Sequence, residues 1–181
     1  MIVMTTLPRG RGLRIEDLEA MPDDGRRYEL IDGVLLVSAM PVPRHQRMAF
    51  LLNRLLDDTA PADVWVIGPV DVELSGDTMV EPDLIVAPRA AFNDKRLPVA
   101  PLLAIEILSP STALTDLNVK FARYERAGIP AYWVLDPGRP GLVAWELREG
   151  KYVEVADVAG DEPFHATQPF PVTVVPGSLI D

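Results

Sequence analysis

LLAIEILSPST, residues 102–112, places a single carboxylate, Glu106, inside an otherwise apolar run. Residues 102–108 have the length and composition of a strand that is buried on both faces of a sheet. Removing a lone carboxylate from water is very costly, so Glu106 needs a cationic partner, a metal ion or a proton. The stretch therefore predicts a central strand with a polar cluster beside it.

The residues after this strand predict a crossover. Pro110 ends the strand, and Ser111 or Thr112 can cap a following helix that ends near Gly128. A second apolar run, IPAYWVLD, occupies residues 129–136. Because a strand–helix–strand connection is right-handed, strands 102–108 and 131–136 are expected to be parallel neighbours. The apolar stripe of the helix is predicted from residues at helical spacing: Leu114, Leu117, Phe121 and Tyr124.

The rest of the chain alternates short helices and strands. The Asp32-Gly33 pair predicts a hairpin within RRYELIDGVLLVSAMP, residues 26–41. Helices are expected over 15–21 and 45–59, strands over 64–67, 70–74 and 80–86, and a loop, either plain or with one helical turn, over 88–101. Further antiparallel strands are predicted over 142–147, 152–155 and 172–175. This order indicates a mixed α/β fold in one domain, residues 1–181, in which residues 1–13 are a candidate flexible arm.

Composition excludes several classes of protein. The 181 residues carry 27 acidic and 17 basic side chains, a net charge of −10, which argues against broad attraction to nucleic acid or anionic membranes. There are no cysteines, so disulfides and thiolate metal sites are excluded. No apolar run approaches the ~18 residues of a membrane span. The opening residues also lack the apolar core of a signal peptide, and we expect a cytoplasmic protein without membrane contact.

Carboxylates in other predicted strands suggest partners for Glu106. Glu29 lies in YELIDG, and Asp83 lies in VEPDLIV, where strand alternation would place it on the same face as Glu81. Carboxylates from neighbouring strands suit Mg²⁺, an ion that polarises phosphates and lowers the pKa of bound water. Lys120, on the flank of the predicted helix stripe, can reach toward Glu106 and stabilise negative charge. Asp116 can pair with Lys120 at i,i+4 spacing.

These motifs, in this order, resemble the Uma family of restriction endonucleases in the PD-(D/E)XK nuclease superfamily. The resemblance covers about residues 15–175, and its most specific parts are EPD (81–83), EILSPST (106–112) and DLNVKFARYERAGIPAYWVLD (116–136). It implies a restriction-endonuclease-like core, with a central mixed β-sheet flanked by helices. It also implies an endonuclease that hydrolyses phosphodiester bonds in DNA with Mg²⁺ or Mn²⁺.

The resemblance assigns roles residue by residue. Asp83 and Glu106 would be the metal ligands, and Glu29 the upstream acid. Leu108 occupies the lysine position of the superfamily's Glu-x-Lys motif, and Lys120 matches the place of a displaced lysine. His45 is expected to line the site and is a candidate general base, because histidine titrates near neutrality.

Structural alternatives exist for each residue. Glu106 can be a buried partner of Lys120, Asp83 a turn residue, and Glu29 an exposed strand end. Asp136 before Pro137 is expected to set a turn, and Tyr124, Tyr132 and Trp133 are expected in the core. The alternative function is a catalytically inactive nuclease fold that acts as a binding or regulatory module, and a homodimer fits either function. An arginine-rich first third forms either a phosphate-facing patch or a solvated surface: Arg9, Arg11, Arg14, Arg26, Arg27, Arg44, Arg47 and Arg54.

Overall fold

A six-stranded mixed sheet and a four-stranded antiparallel sheet form most of the fold in the computed structural model. The structure describes residues 10–21, 25–38, 40–109 and 115–180, without the side chains of residues 115 and 116. The helices are α1 (Ile15–Glu19), α2 (Pro43–Asp57) and α3 (Phe121–Ala127). The strands are β1 (Arg27–Ile31), β2 (Val34–Ser38), β3 (Val64–Ile67), β4 (Val72–Ser75), β5 (Thr78–Val80), β6 (Leu84–Pro88), β7 (Leu103–Ile107), β8 (Ala131–Asp136), β9 (Gly141–Arg148), β10 (Lys151–Ala159), β11 (Phe164–Ala166) and β12 (Val172–Val174).

The large sheet has the order β10-β9-β8-β7-β6-β3. Strands β7 and β8 are parallel, with Glu106 opposite Val134, and the other pairs of this sheet between described strands are antiparallel. The predicted parallel crossover and the mixed α/β fold class are therefore confirmed. Since β7 and β8 lie at the centre, both are covered on their two faces and can be almost entirely apolar.

The two faces of this sheet bury separate cores. On one face, α2 packs its apolar stripe of Met48, Leu52 and Leu56 against Ile105 and its neighbours. On the other face, Tyr124 of α3 packs with Ala104 and Tyr132. Residues of β7 alternate between these faces, so Glu106 points to the same side as Ala104, toward α3. The predicted core positions of Tyr124, Tyr132 and Trp133 are confirmed.

The prediction of one strand over 80–86 is wrong. The chain leaves β5 after Val80 and begins β6 at Leu84, and these two strands belong to different sheets, because β5 lies in the four-stranded order β2-β1-β5-β4. Pro82 lies in the break, where it has no backbone N–H to donate to a ladder. Strand alternation therefore does not place Glu81 and Asp83 on a shared face.

The helix predicted between Ser111 or Thr112 and Gly128 also differs in its first half. Residues Thr115–Lys120 form a π-helical segment that leads into α3. A π-turn is wider than an α-turn, so side chains in this segment are rotated relative to the α-helical stripe. Leu117 is consequently 41% exposed instead of buried, and Lys120 is only 2% exposed instead of lying on the flank. The predicted cap at Ser111 or Thr112 and the stripe position Leu114 lie outside the described residues.

The remaining predictions hold with small shifts of boundary. The β1–β2 hairpin turns at Asp32 and Gly33, which both have positive φ, as a two-residue type I′ turn requires. Gly128 ends α3 in the left-handed conformation. A 3₁₀ turn, Arg89–Ala91, interrupts the predicted loop. Strand β11 was not expected from the sequence, and a second 3₁₀ turn, Pro176–Leu179, follows β12. Of the arm proposed for residues 1–13, residues 1–9 lie outside the described chain, whereas Leu13 donates a backbone hydrogen bond to Gly33.

Candidate active site

The inner cluster consists of Glu29, Glu106, Lys120 and Tyr124. The Nζ atom of Lys120 lies 2.9 Å from Glu29 Oε1 and 3.1 Å from Glu106 Oε1. The hydroxyl of Tyr124 donates to the same Glu106 oxygen over 2.7 Å. All four side chains are buried, and Glu106 is only 1% exposed. The carboxylate that stands out in the sequence is thus held by an ammonium and a phenol.

The outer cluster consists of Arg27, His45, Glu81 and Asp83. His45 Nε2 lies 3.0 Å from Asp83 Oδ2, and Arg27 Nη1 lies 3.1 Å from Asp83 Oδ1. Arg27 also contacts Glu81 through its Nε atom at 3.1 Å. His45 is buried, and its Nδ1 atom has no hydrogen-bond partner among the described residues. Asp83 is therefore oriented by two side chains from two different elements, β1 and α2.

The two clusters meet at the ends of β6 and β7. Leu84, the first residue of β6, pairs with Ile105, so Asp83 lies just before this paired stretch and Glu106 follows it on β7. The N–H of Leu108 donates to β8, so the N–H of Ile107 points the other way, past the first residue of β6. Asp83 Oδ2 accepts this N–H over 2.8 Å. The carboxylate of Asp83 thus accepts the hydrogen bond that a backbone carbonyl would accept if β6 began earlier.

Backbone contacts also tie Glu29 to the outer cluster. Glu29 Oε1 accepts the backbone N–H of Glu81 over 2.9 Å, in the break between β5 and β6. Glu29 is buried, so the reading of this residue as an exposed strand end is wrong. One carboxylate therefore fixes both Lys120 and the segment that leads to Asp83.

The electrostatics of the site favour an ionised Asp83. Burial by itself would raise the pKa of Asp83, but the hydrogen bond and charge of His45, together with Arg27 and the Ile107 N–H, lower it overall. Burial raises the pKa of Glu81, and the attraction of Arg27 only partly offsets it. Burial and the nearby Glu106 and Glu29 carboxylates raise the pKa of Tyr124 well above its usual value, so its hydroxyl stays a donor.

Gly68 is a site residue that the sequence reasoning missed. A Cβ atom at Gly68 would lie 2.1 Å from the backbone oxygen of Asp83, far inside any real contact. Only glycine permits this close approach of the β3 end to Asp83. The Gly68-Pro69 dipeptide is visible in the sequence as a turn signal, but nothing in it indicates which backbone passes beside it.

A cleft of about 280 Å³ opens beside the outer cluster. Arg27, His45 and Asp83 contribute to its wall, and the exposed side of α2 and the Gly68-Pro69 turn complete it. The inner cluster does not line this cleft. Of the two clusters, the outer one is therefore in contact with the space that a ligand can enter.

Other residues considered from the sequence lie elsewhere or in other roles. Asp136 sets the predicted turn, since its Oδ1 accepts the Gly138 N–H over 2.7 Å. Leu108 packs at the edge of the core on the α3 face, so an apolar contact occupies the usual lysine position. Among the N-terminal arginines, Arg11 is held by Asp17 and Arg27 by Asp83. Arg9 and the side chain of Asp116 lie outside the described residues.

The carboxylate oxygens of the two clusters are suited to a hard cation that needs few protein ligands. Within residues 10–21, 25–38, 40–109 and 115–180, no three acidic or histidine side chains form a group that could hold a metal ion. Mg²⁺, however, is commonly bound by one or two carboxylates together with waters and substrate phosphate. Asp83, just before β6, and Glu106, in β7, fit that requirement in oxygen chemistry and in number.

Comparison with known proteins identifies the family. A family model described as "Uma2: Putative restriction endonuclease" matches residues 15–176. The chain belongs to the Uma2 family. This membership confirms the resemblance found in the sequence and supports a nuclease function. The matched residues, 15–176, include both clusters and the cleft between α2 and the Gly68-Pro69 turn.

A solved structure shares the fold of this Uma2 chain. It is described as the crystal structure of a putative nuclease belonging to DUF820 from Anabaena variabilis ATCC 29413. The two chains superpose with a TM-score of 0.71 at 18% identity, over 93% of this chain and 97% of the other. At this identity the similarity establishes the nuclease-like fold alone. A search of curated proteins finds no match, and no helix in the described part of the chain is long and apolar enough to cross a membrane.

Proposed function

We propose that this Uma2 protein is a metal-dependent endonuclease that hydrolyses phosphodiester bonds in DNA. Asp83 and Glu106 would hold Mg²⁺ or Mn²⁺, and Lys120, Glu29 and His45 would support them. The observation that carries the proposal is the junction of the two clusters, where buried Asp83, which lines a cleft, accepts the N–H of Ile107, the residue after buried Glu106. Buried carboxylates without a balancing charge are costly, and such groups cluster at functional sites.

The charge balance of the two clusters supports a divalent cation. Together they contain four carboxylates, whereas their permanent positive charges are Arg27 and Lys120. A divalent ion would offset the remaining negative charge at the strand ends. When bound, such an ion would polarise the phosphate and lower the pKa of a coordinated water.

The chain's own residues would orient the ligands and the substrate. Lys120 and Tyr124 both bind Glu106 Oε1, which restricts the rotation of this carboxylate. His45 and the Ile107 N–H both bind Asp83 Oδ2 and restrict it in the same way. Lys120 would also supply positive charge near the phosphate as negative charge develops on it. A general-base role for His45 stays a prediction.

Cleavage and metal binding test this function together. Wild-type protein should bind Mn²⁺ in calorimetry and cleave plasmid or single-stranded circular DNA only when Mg²⁺ or Mn²⁺ is present. Asp83→Asn, Glu106→Gln and Lys120→Met should each lower cleavage by about 100-fold or more. Glu154→Gln, an exposed acid on β10, is the matched control and should cleave normally.

The alternative outcome is equally defined. If folded wild-type protein binds neither ion and cleaves neither DNA form, the chain is a nuclease fold that has lost activity. Circular dichroism of each variant separates loss of chemistry from loss of folding. Cleavage that survives Asp83→Asn and Glu106→Gln would instead show that the hydrolytic site lies elsewhere.

A further inference from the structure

One exposed face of α2 forms a wall of the cleft beside Asp83. It presents Gln46, Ala49, Phe50 and Asn53, which lie three or four positions apart and therefore share one side of the helix. The core-facing side of α2 contains Met48, Leu51, Leu52 and Leu56, and Ala49 packs at its edge, whereas Phe50 is not part of the core cluster. Core packing therefore does not account for the aromatic residue in the cleft.

Phe50 is 58% exposed although it lines the cleft that Asp83 also lines. Leaving a large aromatic side chain in water forgoes the stabilisation that burial would give. Aromatic rings at such positions in nucleic-acid-binding proteins stack on unpaired bases, because every base has a π-face. The position of Phe50 therefore points to a flat, apolar ligand surface.

The amide groups beside Phe50 add hydrogen-bonding capacity to this wall. Asn53 donates from Nδ2 to the backbone oxygen of Val66 over 3.2 Å, which orients the amide. Its Oδ1 then remains as an acceptor, and Gln46 contributes an exposed amide at the other end of the stripe. Asparagine and glutamine amides are suited to the edges of nucleobases.

We propose that this cleft binds an unpaired nucleobase, stacked on Phe50, and that the substrate is single-stranded nucleic acid or an unpaired stretch of a duplex. The inference rests on the proposed function, because Asp83, which also lines the cleft, would then act on a phosphate next to the bound base. A base within an intact duplex is paired and stacked, and it can enter such a cleft only after being flipped out. The net charge of −10 also disfavours strong binding to the dense phosphates of a duplex.

A second, smaller opening extends the path of the strand. It has a volume of about 170 Å³, shares Arg27, Gln46 and Pro69 with the first cleft, and continues to Arg26. Guanidinium groups bind phosphates readily. A strand whose base stacks on Phe50 would therefore lead its next phosphate past Arg27 toward Arg26.

Binding of a nucleoside tests the cleft independently of cleavage. Adenosine carries no phosphate, so its binding does not depend on a metal or on hydrolysis. Titration into wild-type protein should shift the NMR signals of the Phe50 ring. Phe50→Trp should keep this binding, whereas Phe50→Leu, which retains apolar volume without a π-face, should weaken it about 5- to 100-fold. Val153→Ala, an exposed apolar position on β10, is the matched control.

Cleavage of paired and unpaired substrates tests the substrate class. With Mg²⁺, wild-type protein should cleave a single-stranded oligonucleotide faster than the same sequence in a duplex. Phe50→Leu should lower kcat/KM on the single strand by about 5- to 100-fold, and Phe50→Trp should restore it.

The outcomes separate this inference from the proposed function. Efficient duplex cleavage that needs Asp83 but ignores Phe50 would overturn the base-binding cleft and leave the nuclease standing. Phe50-dependent adenosine binding without any cleavage would support the cleft and refute the nuclease. Adenosine that leaves the Phe50 signals unchanged, with equal cleavage by wild type and Phe50→Leu, would also overturn the inference.

Discussion

The inner and outer clusters have similar charges and very different surroundings. Each contains two carboxylates and one permanent cation, Lys120 in the inner cluster and Arg27 in the outer. The inner cluster is enclosed between the two sheets and α3, whereas the outer cluster borders a cleft. The difference indicates two roles. The enclosed ion pairs fix the orientation of a carboxylate, whereas the ion pairs beside the cleft are placed to contact a ligand.

Removal of the Lys120 ammonium should have the largest effect on this arrangement. Lys120→Met would remove the ammonium that both Glu29 and Glu106 bind, while the two carboxylates stay buried. Breaking one partner of a buried ion pair typically costs about 3–5 kcal/mol, and we expect a loss of that size in the free energy of unfolding. Urea denaturation at neutral pH measures it.

Two further variants sharpen this test. Lys151→Met removes an exposed lysine that pairs with Glu125 and should change stability by less than about 1 kcal/mol. Adding Glu106→Gln to Lys120→Met should recover part of the lost stability, because one uncompensated charge disappears. No recovery in the double variant would mean that Lys120 stabilises the fold by packing and not by charge.

Gly68→Ala should have the next largest effect, and it acts on the outer cluster. The new methyl group would overlap the backbone oxygen of Asp83, so the β3 end or the Asp83 segment must move. Overpacking of this kind costs about 1–3 kcal/mol, and we expect the upper end because the contact is with backbone. Thermal unfolding checks the stability, and Gly76→Ala is the control, because an added Cβ there meets no atom closer than 4.0 Å and the φ of Gly76 is not positive. If Gly68→Ala is no more destabilising than Gly76→Ala, the close approach has no energetic consequence.

The sequence predicted the inner cluster better than the outer one. Glu106 in an apolar strand requires a partner on physical grounds alone, and Lys120 is one helix away in sequence. The β7–β8 crossover follows from local patterns in the same way. These features are predictable because a buried charge and an apolar run leave few structural alternatives.

The outer cluster depends on contacts between distant segments, which no local pattern reports. The break at Pro82 moves Asp83 off a regular strand, and the hydrogen bonds of Asp83 come from β1, α2 and β7. The π-helical segment before α3 likewise changes which side chains face inward, since α-helical spacing predicts Leu117 as buried. Tertiary packing decides these positions, and the sequence alone therefore could not predict Gly68 or the depth of Lys120.

Asp83→Asn should show a pH-dependent loss of stability of about 1.5–2 kcal/mol at neutral pH, because charged hydrogen bonds become neutral ones. The pKa of Asp83 is lowered in the folded protein. Its ionised form therefore stabilises the fold above the unfolded pKa of about 4, and this contribution is lost as the pH falls through the lowered folded pKa. Urea denaturation across this range should show the two proteins converging in acid. A difference that stays constant down to the lowest accessible pH would show that Asp83 acts through shape alone.

Tyr124→Phe should have the smallest effect, and it separates packing from hydrogen bonding within the inner cluster. The ring remains in the core against Tyr132, whereas Glu106 Oε1 loses the 2.7 Å hydrogen bond from the phenol. Because Lys120 still holds the same oxygen, the loss should be only about 1 kcal/mol in the free energy of unfolding. The double variant Tyr124→Phe with Lys120→Met should lose more free energy of unfolding than the two single variants together. Each group compensates for the loss of the other at Glu106. Additive losses in this double-mutant cycle would mean that the phenol and the ammonium act on Glu106 independently.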